Sequence, residues 1–238
     1  MSVFRQHKQR HQAQQAAATA ASTGEVSGPV ADSLHLQLLA LDADITRLRS
    51  LDRTADRVEL KRSELLPKYR PFAEQYLEKG EVFSNPLFSQ LIIWLFDVGD
   101  LETALAWADI AITQKQATPS TIKRDWPHFV ADTVLEWAEP EIQRGNAVEP
   151  WFSQVLVKVM NEWRLNEPLT AKWLKTAGLL LLTDEQGKPV ASAVSDMETL
   201  KQADELLAKA EEFHPAIGVK THRERIAMRV RALQQGKE

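Results

Sequence analysis

The stretch LFDVGDLETALAWADIAI, residues 95–112, decides how the rest of the chain reads. Two apolar segments flank Gly99-Asp100: a glycine suited to end a helix in the left-handed region, and an aspartate whose short side chain can cap the next helix. In the second segment Ala104, Ala108 and Ala111 recur at helical spacing, with Ala104 and Ala111 seven residues apart. Small residues at that interval let two helices approach closely, the pattern of a tetratricopeptide hairpin. Ala203, Ala210 and Pro215, with Leu207 between, repeat it near the C-terminus. Between the two hairpins the period is not sustained, because residues 119–183 carry different helix lengths and turns. The hairpins are therefore expected as packing units in a helical domain, not as a peptide-binding array.

Outward from this stretch the helical period continues. Pro67 and Pro71 stand where helix starts tolerate proline, Lys79-Gly80 closes one segment and Asn85-Pro86 opens the next. Further helices are expected over residues 126–144, 149–163 and 167–182, with Arg144-Gly145-Asn146 and Asn166 as breaks. Leu169, Trp173, Leu174, Ala177 and Leu181 keep helical spacing, so the apolar run at residues 178–182 is read as helix and not as a buried strand. Residues 183–195, TDEQGKPVASAVS, form a loop with a Gly-Lys-Pro turn. Leu200, Ala203, Leu206, Leu207 and Ala210 then mark an amphipathic helix, which Pro215 and Gly218 separate from a last one over residues 219–234. Trp94, Trp107, Trp137, Trp163 and Trp173 lie beside leucines or alanines and read as core, whereas Trp126 and Trp151 stand next to proline at helix starts, where a staple-like contact is an option.

The N-terminal part differs. Residues 1–33 are rich in Gln, Ala, Ser and Thr, carry RQHKQRH at residues 5–11 and have no acidic residue before Glu25, the composition of a disordered basic arm. Asp32 or Ser33 is expected to cap a helix along which Leu34, Leu38, Leu41, Ile45 and Leu48 step by four and three residues, as in a coiled-coil seam. That amphipathic helix, residues 34–64, is the candidate for oligomerisation; packing on its own domain is the alternative. The expectation is an all-α chain: a helical bundle with tetratricopeptide-like helical hairpins and an N-terminal coiled-coil-like helix. Its parts are the arm (1–33), the oligomerising helix (34–64), a helical domain (65–183), a loop (184–195) and a C-terminal hairpin with a basic last helix (196–238).

Composition narrows the chemistry. With 238 residues, 44% of them hydrophobic, the chain can bury a substantial core. No apolar run approaches the roughly 18 residues a membrane span needs, and the N-terminus lacks the apolar segment of a signal peptide, so the protein is expected to stay in the cytoplasm. The absence of cysteine excludes disulfides, thiolate zinc sites, iron–sulfur clusters and cysteine nucleophiles. No GxxxxGK[ST] stretch is present to cradle phosphates, and the histidines are scattered without metal-ligand spacing. Asp184, Glu185 and Lys188 lie in a polar turn where such residues are common. No catalytic residue, metal site or cofactor is therefore assigned. A net charge of -4 argues against a uniformly nucleic-acid-coating surface and leaves local cationic patches. The last helix carries Lys220, Arg223, Arg225, Arg229 and Arg231 against Glu224, with Val219, Ile226, Val230 and Leu233 as its buried face. Arg5, Lys8 and Arg10 in the arm and Lys123-Arg124 ahead of Asp125-Trp126-Pro127 complete the candidate DNA-binding set, for which a merely solvated face is the alternative.

Five pieces in fixed order then carry a family resemblance. They are the RQHKQRH arm, LKRSELLPKYRPF at residues 60–72, LIIWLFDVGDLETALAWADIAI at residues 91–112, KRDWPHFVAD at residues 123–132, and WLKTAGLLLL at residues 173–182 followed by AKAEEFHPAIGVKTHRERI at residues 208–226. The core around Trp94, Asp97, Gly99, Asp100, Ala104 and Leu105 is the most specific. Together they resemble the gpM-type small terminase subunits of Peduovirus-like temperate phages. The resemblance implies an all-helical homo-oligomer in the host cytoplasm that binds the packaging site on double-stranded phage DNA and presents it to a large terminase subunit holding the ATPase and nuclease centres. The family is commonly labelled the endonuclease subunit of terminase; with no catalytic constellation in this sequence, the label is taken to describe the holoenzyme. Family members often end in a long lysine- and arginine-rich tail, whereas this chain stops at Gly236-Lys237-Glu238, which shifts weight to the arm and the last helix. Residues 184–195 are longer than the family pattern leads one to expect. Two other readings stand beside this one: a helical-repeat adaptor that binds a protein partner without touching DNA, and a nuclease whose carboxylates sequence alone does not group.

Overall fold

In the computed structural model, which describes residues 29–236, Gly99 and Asp100 end one helix and start the next. The chain divides into two units, Met1–Leu65 and Leu66–Glu238. The first holds α1 (Pro29–Arg49), α2 (Thr54–Leu60) and a π-helical turn (Lys61–Leu65). The second holds α3 (Leu66–Lys79), α4 (Pro86–Val98), α5 (Leu101–Thr113), α6 (Trp126–Gln143), α7 (Trp151–Asn161), α8 (Glu167–Leu180), a 3-10 turn (Ala191–Ala193), α9 (Met197–Phe213) and α10 (Lys220–Gln234). The chain is all-α: among the described residues there is no strand, only a lone antiparallel bridge between Thr183 and Pro189. The basic arm with Arg5, Lys8 and Arg10 lies outside the described residues.

In the first unit α1 begins at Pro29, so Asp32 and Ser33 lie inside the helix and not at its cap. Proline's fixed φ and missing N–H suit a first turn, whose N–H groups have no intrahelical partner anyway. Along the anticipated seam Leu41 and Leu48 are buried while Leu34, Leu38 and Ile45 are half-buried. Leu36 and Leu39, off that seam, are 60% and 58% exposed. Arg47 grips the Glu64 carboxylate through two hydrogen bonds of 2.7 and 3.2 Å, and Arg57 Nε donates to the Leu51 carbonyl at 2.8 Å, closing the turn between α1 and α2.

The second unit is organised by helix ends. Gly99, at φ 80°, places its N–H on the Phe96 carbonyl, and the Asp100 N–H reaches back to Leu95 at 3.0 Å, the paired bonds of a Schellman stop. Asp100 then caps α5 by accepting from Thr103 N through Oδ1, while its Oδ2 accepts from Arg70 of α3 at 2.9 Å. One carboxylate thus ties α3 to the α4–α5 turn, and Ala104, Ala108 and Ala111 are buried on α5. Asn85, Asp125, Asn166 and Asp196 cap α4, α6, α8 and α9 in the same way, each contribution being about 1 kcal/mol. Pro67 falls in the first turn of α3, but Pro71 lies within that helix and not at a start. Both prolines are exposed, so water can reach the carbonyl that Pro71 leaves without a donor.

Gln116 knits the α3–α6 layer together. Its buried Nε2 donates to the Phe83 carbonyl at 2.7 Å and to the Tyr76 hydroxyl at 2.9 Å, and its Oε1 accepts from Asn85 N at 2.9 Å. The Gln116 carbonyl takes the Trp126 indole N–H at 2.9 Å. Trp126 is therefore a core residue with its N–H satisfied. Further along, the Trp173 N–H bonds the Ala131 carbonyl at 3.1 Å and its ring stacks on Phe152 at 4.9 Å, joining α6, α7 and α8.

The most extensive helix pairing is α8 with α9. Gly178 makes it possible: a Cβ there would sit 3.0 Å from the Leu207 side chain. Leu200, Ala203, Leu207, Val219 and Ile226 fill the C-terminal core together with Leu182 and Ala191. Residues 184–189 form a tight turn in which Asp184 Oδ1 accepts from Gln186 N and Lys188 N, both at 2.9 Å. The turn docks backbone to backbone on the end of α6, since a Cβ on Gly187 would lie 2.3 Å from the Ile142 carbonyl oxygen and one on Gly145 2.6 Å from that of Glu185.

Two substitutions probe these linkages by urea unfolding. Gln116→Leu strands the Asn85 N–H in the core and is expected to cost roughly 2–4 kcal/mol; a loss below about 1 kcal/mol would mean that water replaces the amide. Gly187→Ala, which combines the clash with a φ of 77°, is expected to cost at least about 2 kcal/mol, and an unchanged midpoint would show that the turn does not hold α6.

Candidate nucleic-acid interface

Helix α10 is rolled into place by its apolar side. Val219 and Ile226 are buried, and Val230 and Leu233 pack beside them against the core shared with α9 and the 3-10 turn. With that face turned inward, Lys220, Arg225 and Arg231 fall on the exposed arc, together with Glu224 and Met228. The other two anticipated cations are engaged by the chain itself. Arg223 Nε donates to Asp204 Oδ1 at 2.9 Å and its NH1 to Glu211 Oε2 at 2.8 Å, clamping α10 to α9. Hydrogen bonding to Asp204, with Glu211 in support and against the opposing pull of burial, holds the guanidinium above its ordinary pKa. Arg229 Nε donates to the Val194 carbonyl at 2.9 Å, beside the 3-10 turn. Both sit at the edges of the buried stripe, where a long side chain reaches a neighbouring element before it reaches solvent.

Lys123 and Arg124 form a separate patch ahead of α6, a helix that packs chiefly on α5, α7 and α8. Lys123 is exposed; Arg124 is also exposed but ion-paired with Asp132. Their loop is firmly built. Thr118 Oγ1 donates to the Arg124 carbonyl at 3.0 Å, and Asp125 caps α6 while its Oδ1 meets His128 Nδ1 at 2.7 Å. His128 Nε2 accepts the Asn166 N–H at 3.2 Å, so one imidazole links the starts of α6 and α8.

Charge reasoning along single helices misses Lys175 and His222. Lys175 of α8 donates from Nζ to the Ile217 carbonyl at 2.8 Å, 42 residues away in sequence. Burial pushes the His222 imidazole below its ordinary pKa, and the nearby charges of Arg225 and Lys175 push it the same way. The only sequence signal is Lys172 and Lys175 at a three-residue step on α8, which marks a shared face without naming its neighbour. Among the described residues no group of three or more His, Asp or Glu side chains is placed to hold a metal ion.

Comparison with known proteins sets this geometry in context. Residues 38–168 match the family described as Phage small terminase subunit. The chain is 40% identical over 195 residues to "Probable terminase, endonuclease subunit" of Haemophilus phage HP1, covering 82% of this chain and 69% of the relative. It is 24% identical over 196 residues to "Terminase, endonuclease subunit" of Escherichia phage P2, covering 82% of this chain and 78% of the relative. No solved structure matches significantly. The family match runs from α1 into the first turn of α8, so α10 lies beyond it.

His222 makes the electrostatics of α10 measurable. Because its folded-state pKa lies below the unfolded value of about 6.5, the unfolded chain takes up the proton more readily. The associated stability is present above that value and is lost as pH falls through the folded-state pKa. The melting temperature of the wild type is expected to fall more between about pH 7 and pH 5 than that of His222→Gln. Parallel curves for the two proteins would place His222 in a neutral setting.

Proposed function

The chain belongs to the phage small terminase subunit family, a role in phage DNA packaging, and from that premise we propose that it is the DNA-recognition subunit of the motor. It binds the packaging site on double-stranded phage DNA and delivers it to a large subunit that carries the ATPase and nuclease centres. The endonuclease in the relatives' names is, on this reading, the activity of the assembled enzyme. Its place of work is the host cytoplasm, and no described helix is long and apolar enough to cross a membrane.

The observation that carries the reading is the exposed arc of Lys220, Arg225 and Arg231 on a helix whose roll is fixed by buried apolar residues. Cations on a rigid face bind phosphate without first ordering a flexible segment. Arg223 and Arg229, already committed within the chain, position this face. Lys123, Arg124 and the arm residues Arg5, Lys8 and Arg10 are assigned secondary phosphate contacts. Self-association through α1, with Leu34, Leu38, Leu41, Ile45 and Leu48 on its seam, multiplies these weak contacts by effective concentration.

The test is the salt dependence of duplex binding. Replacing Lys220, Arg225 and Arg231 together by alanine is expected to flatten the slope of log K against log salt by about 0.9 for each phosphate no longer neutralised, with oligomer size unchanged. An unaltered slope would move DNA binding off α10.

A further inference from the structure

A groove of about 440 Å³ lies between the end of α6 and the outer side of α8, and nothing in the DNA-binding role uses it. Its lining includes Ile142, Leu179, Leu180, Pro189 and Ile217, all half-buried, and the turn carrying Gly187 contributes to its wall. Lys172 and Lys175 also line it. Glu139 is the one acidic residue in the lining, and it accepts a hydrogen bond from Thr176 Oγ1 at 3.4 Å. Lys175 is steadied by the Ile217 carbonyl. The groove therefore joins a concave apolar floor to a cationic rim.

A DNA backbone has no use for the floor, because phosphate contacts need only charge and donors on an open surface. A peptide uses both parts: apolar anchors fill a concave site, and charges at the rim steer the approach and fix the register. Resting on the packaging reading, we infer that this groove receives an apolar–acidic segment of the large terminase subunit. Leucine- or phenylalanine-sized side chains lie against Leu179, Leu180 and Ile217, and an adjoining carboxylate pairs with Lys172 and Lys175. DNA and large subunit are then held on different surfaces, so one chain can carry both at once.

The experiment titrates the purified large subunit of the same phage against the full-length chain. Lys172→Glu is expected to weaken that association roughly tenfold, and Thr176→Trp, which fills the groove, at least as much. Duplex DNA affinity and the helical circular-dichroism signal are expected to stay at wild-type values. A benzophenone photo-crosslinker at Thr176 is expected to capture a large-subunit peptide with apolar residues close to Asp or Glu. If Thr176→Trp misfolds, the exposed Lys172→Glu and the crosslink still decide. Wild-type affinity in both variants, or a crosslink to another copy of this chain, would overturn the inference. So would a loss of DNA affinity with the large-subunit affinity intact, which would make the groove a phosphate contact. A wild-type chain that fails to bind the large subunit at all would instead remove the packaging reading, and this inference with it.

Discussion

Gln116 supplies the constraint that the α3–α6 layer depends on. Apolar burial is non-directional, and the leucines, alanines and aromatics of these helices would tolerate small slides past one another. The Gln116 amide does not tolerate them, because its Nε2 and Oε1 must meet the Phe83 carbonyl, the Tyr76 hydroxyl and the Asn85 N–H together. Its backbone adds the Trp126 indole on one side and the Ala111 carbonyl on the other. In a low-dielectric interior an unmet amide is costly, so the satisfied arrangement selects one register for α3, α4, α5 and α6. The chain accepts a local cost for it: Lys115, at φ 56°, enters the left-handed region without being glycine so that the next residue can turn inward.

What the sequence disclosed follows from how local each signal is. Gly99-Asp100 was legible because a helix stop and a cap are chemistries of adjacent residues, and the structure realises both. The later helices were legible as periods, with ends shifted by a residue or two. Gln116 was not, because within the run Thr113-Gln114-Lys115-Gln116 nothing distinguishes a buried amide from a solvated one; its partners stand 31 to 40 residues upstream. Residues 184–195 looked like an unassigned loop because the purpose of Gly187, close approach to Ile142, is visible only from α6. The candidate site divides the same way. That α10 is basic is composition; that Arg223 is taken up by Asp204 and Glu211 depends on a neighbouring helix.

The Arg223 clamp also separates the two roles that positive charge plays on α10. A guanidinium paired with two carboxylates presents little net charge outward, but it fixes the azimuth of the helix, as Arg229 does from the 3-10 turn. The remaining cations gain from that rigidity, since the direction in which the arc faces no longer depends on how the helix rocks. Sequence counts of basic residues overstate the cationic surface for this reason, while the fixed geometry makes each exposed charge more effective.

The net charge of -4 does not oppose this arrangement. At physiological ionic strength interactions between exposed charges fade over about 8 Å, so a phosphate docked on the proposed α10 arc would sense the arc's three cations and Glu224 far more than acidic side chains elsewhere on the chain. The same screening limits what one copy can do, because a handful of phosphate contacts gives weak, steeply salt-dependent binding. The DNA-binding proposal therefore calls for several copies presenting the arc to one duplex, with the proposed assembly through α1 and the rigidity of α10 as two halves of one physical requirement.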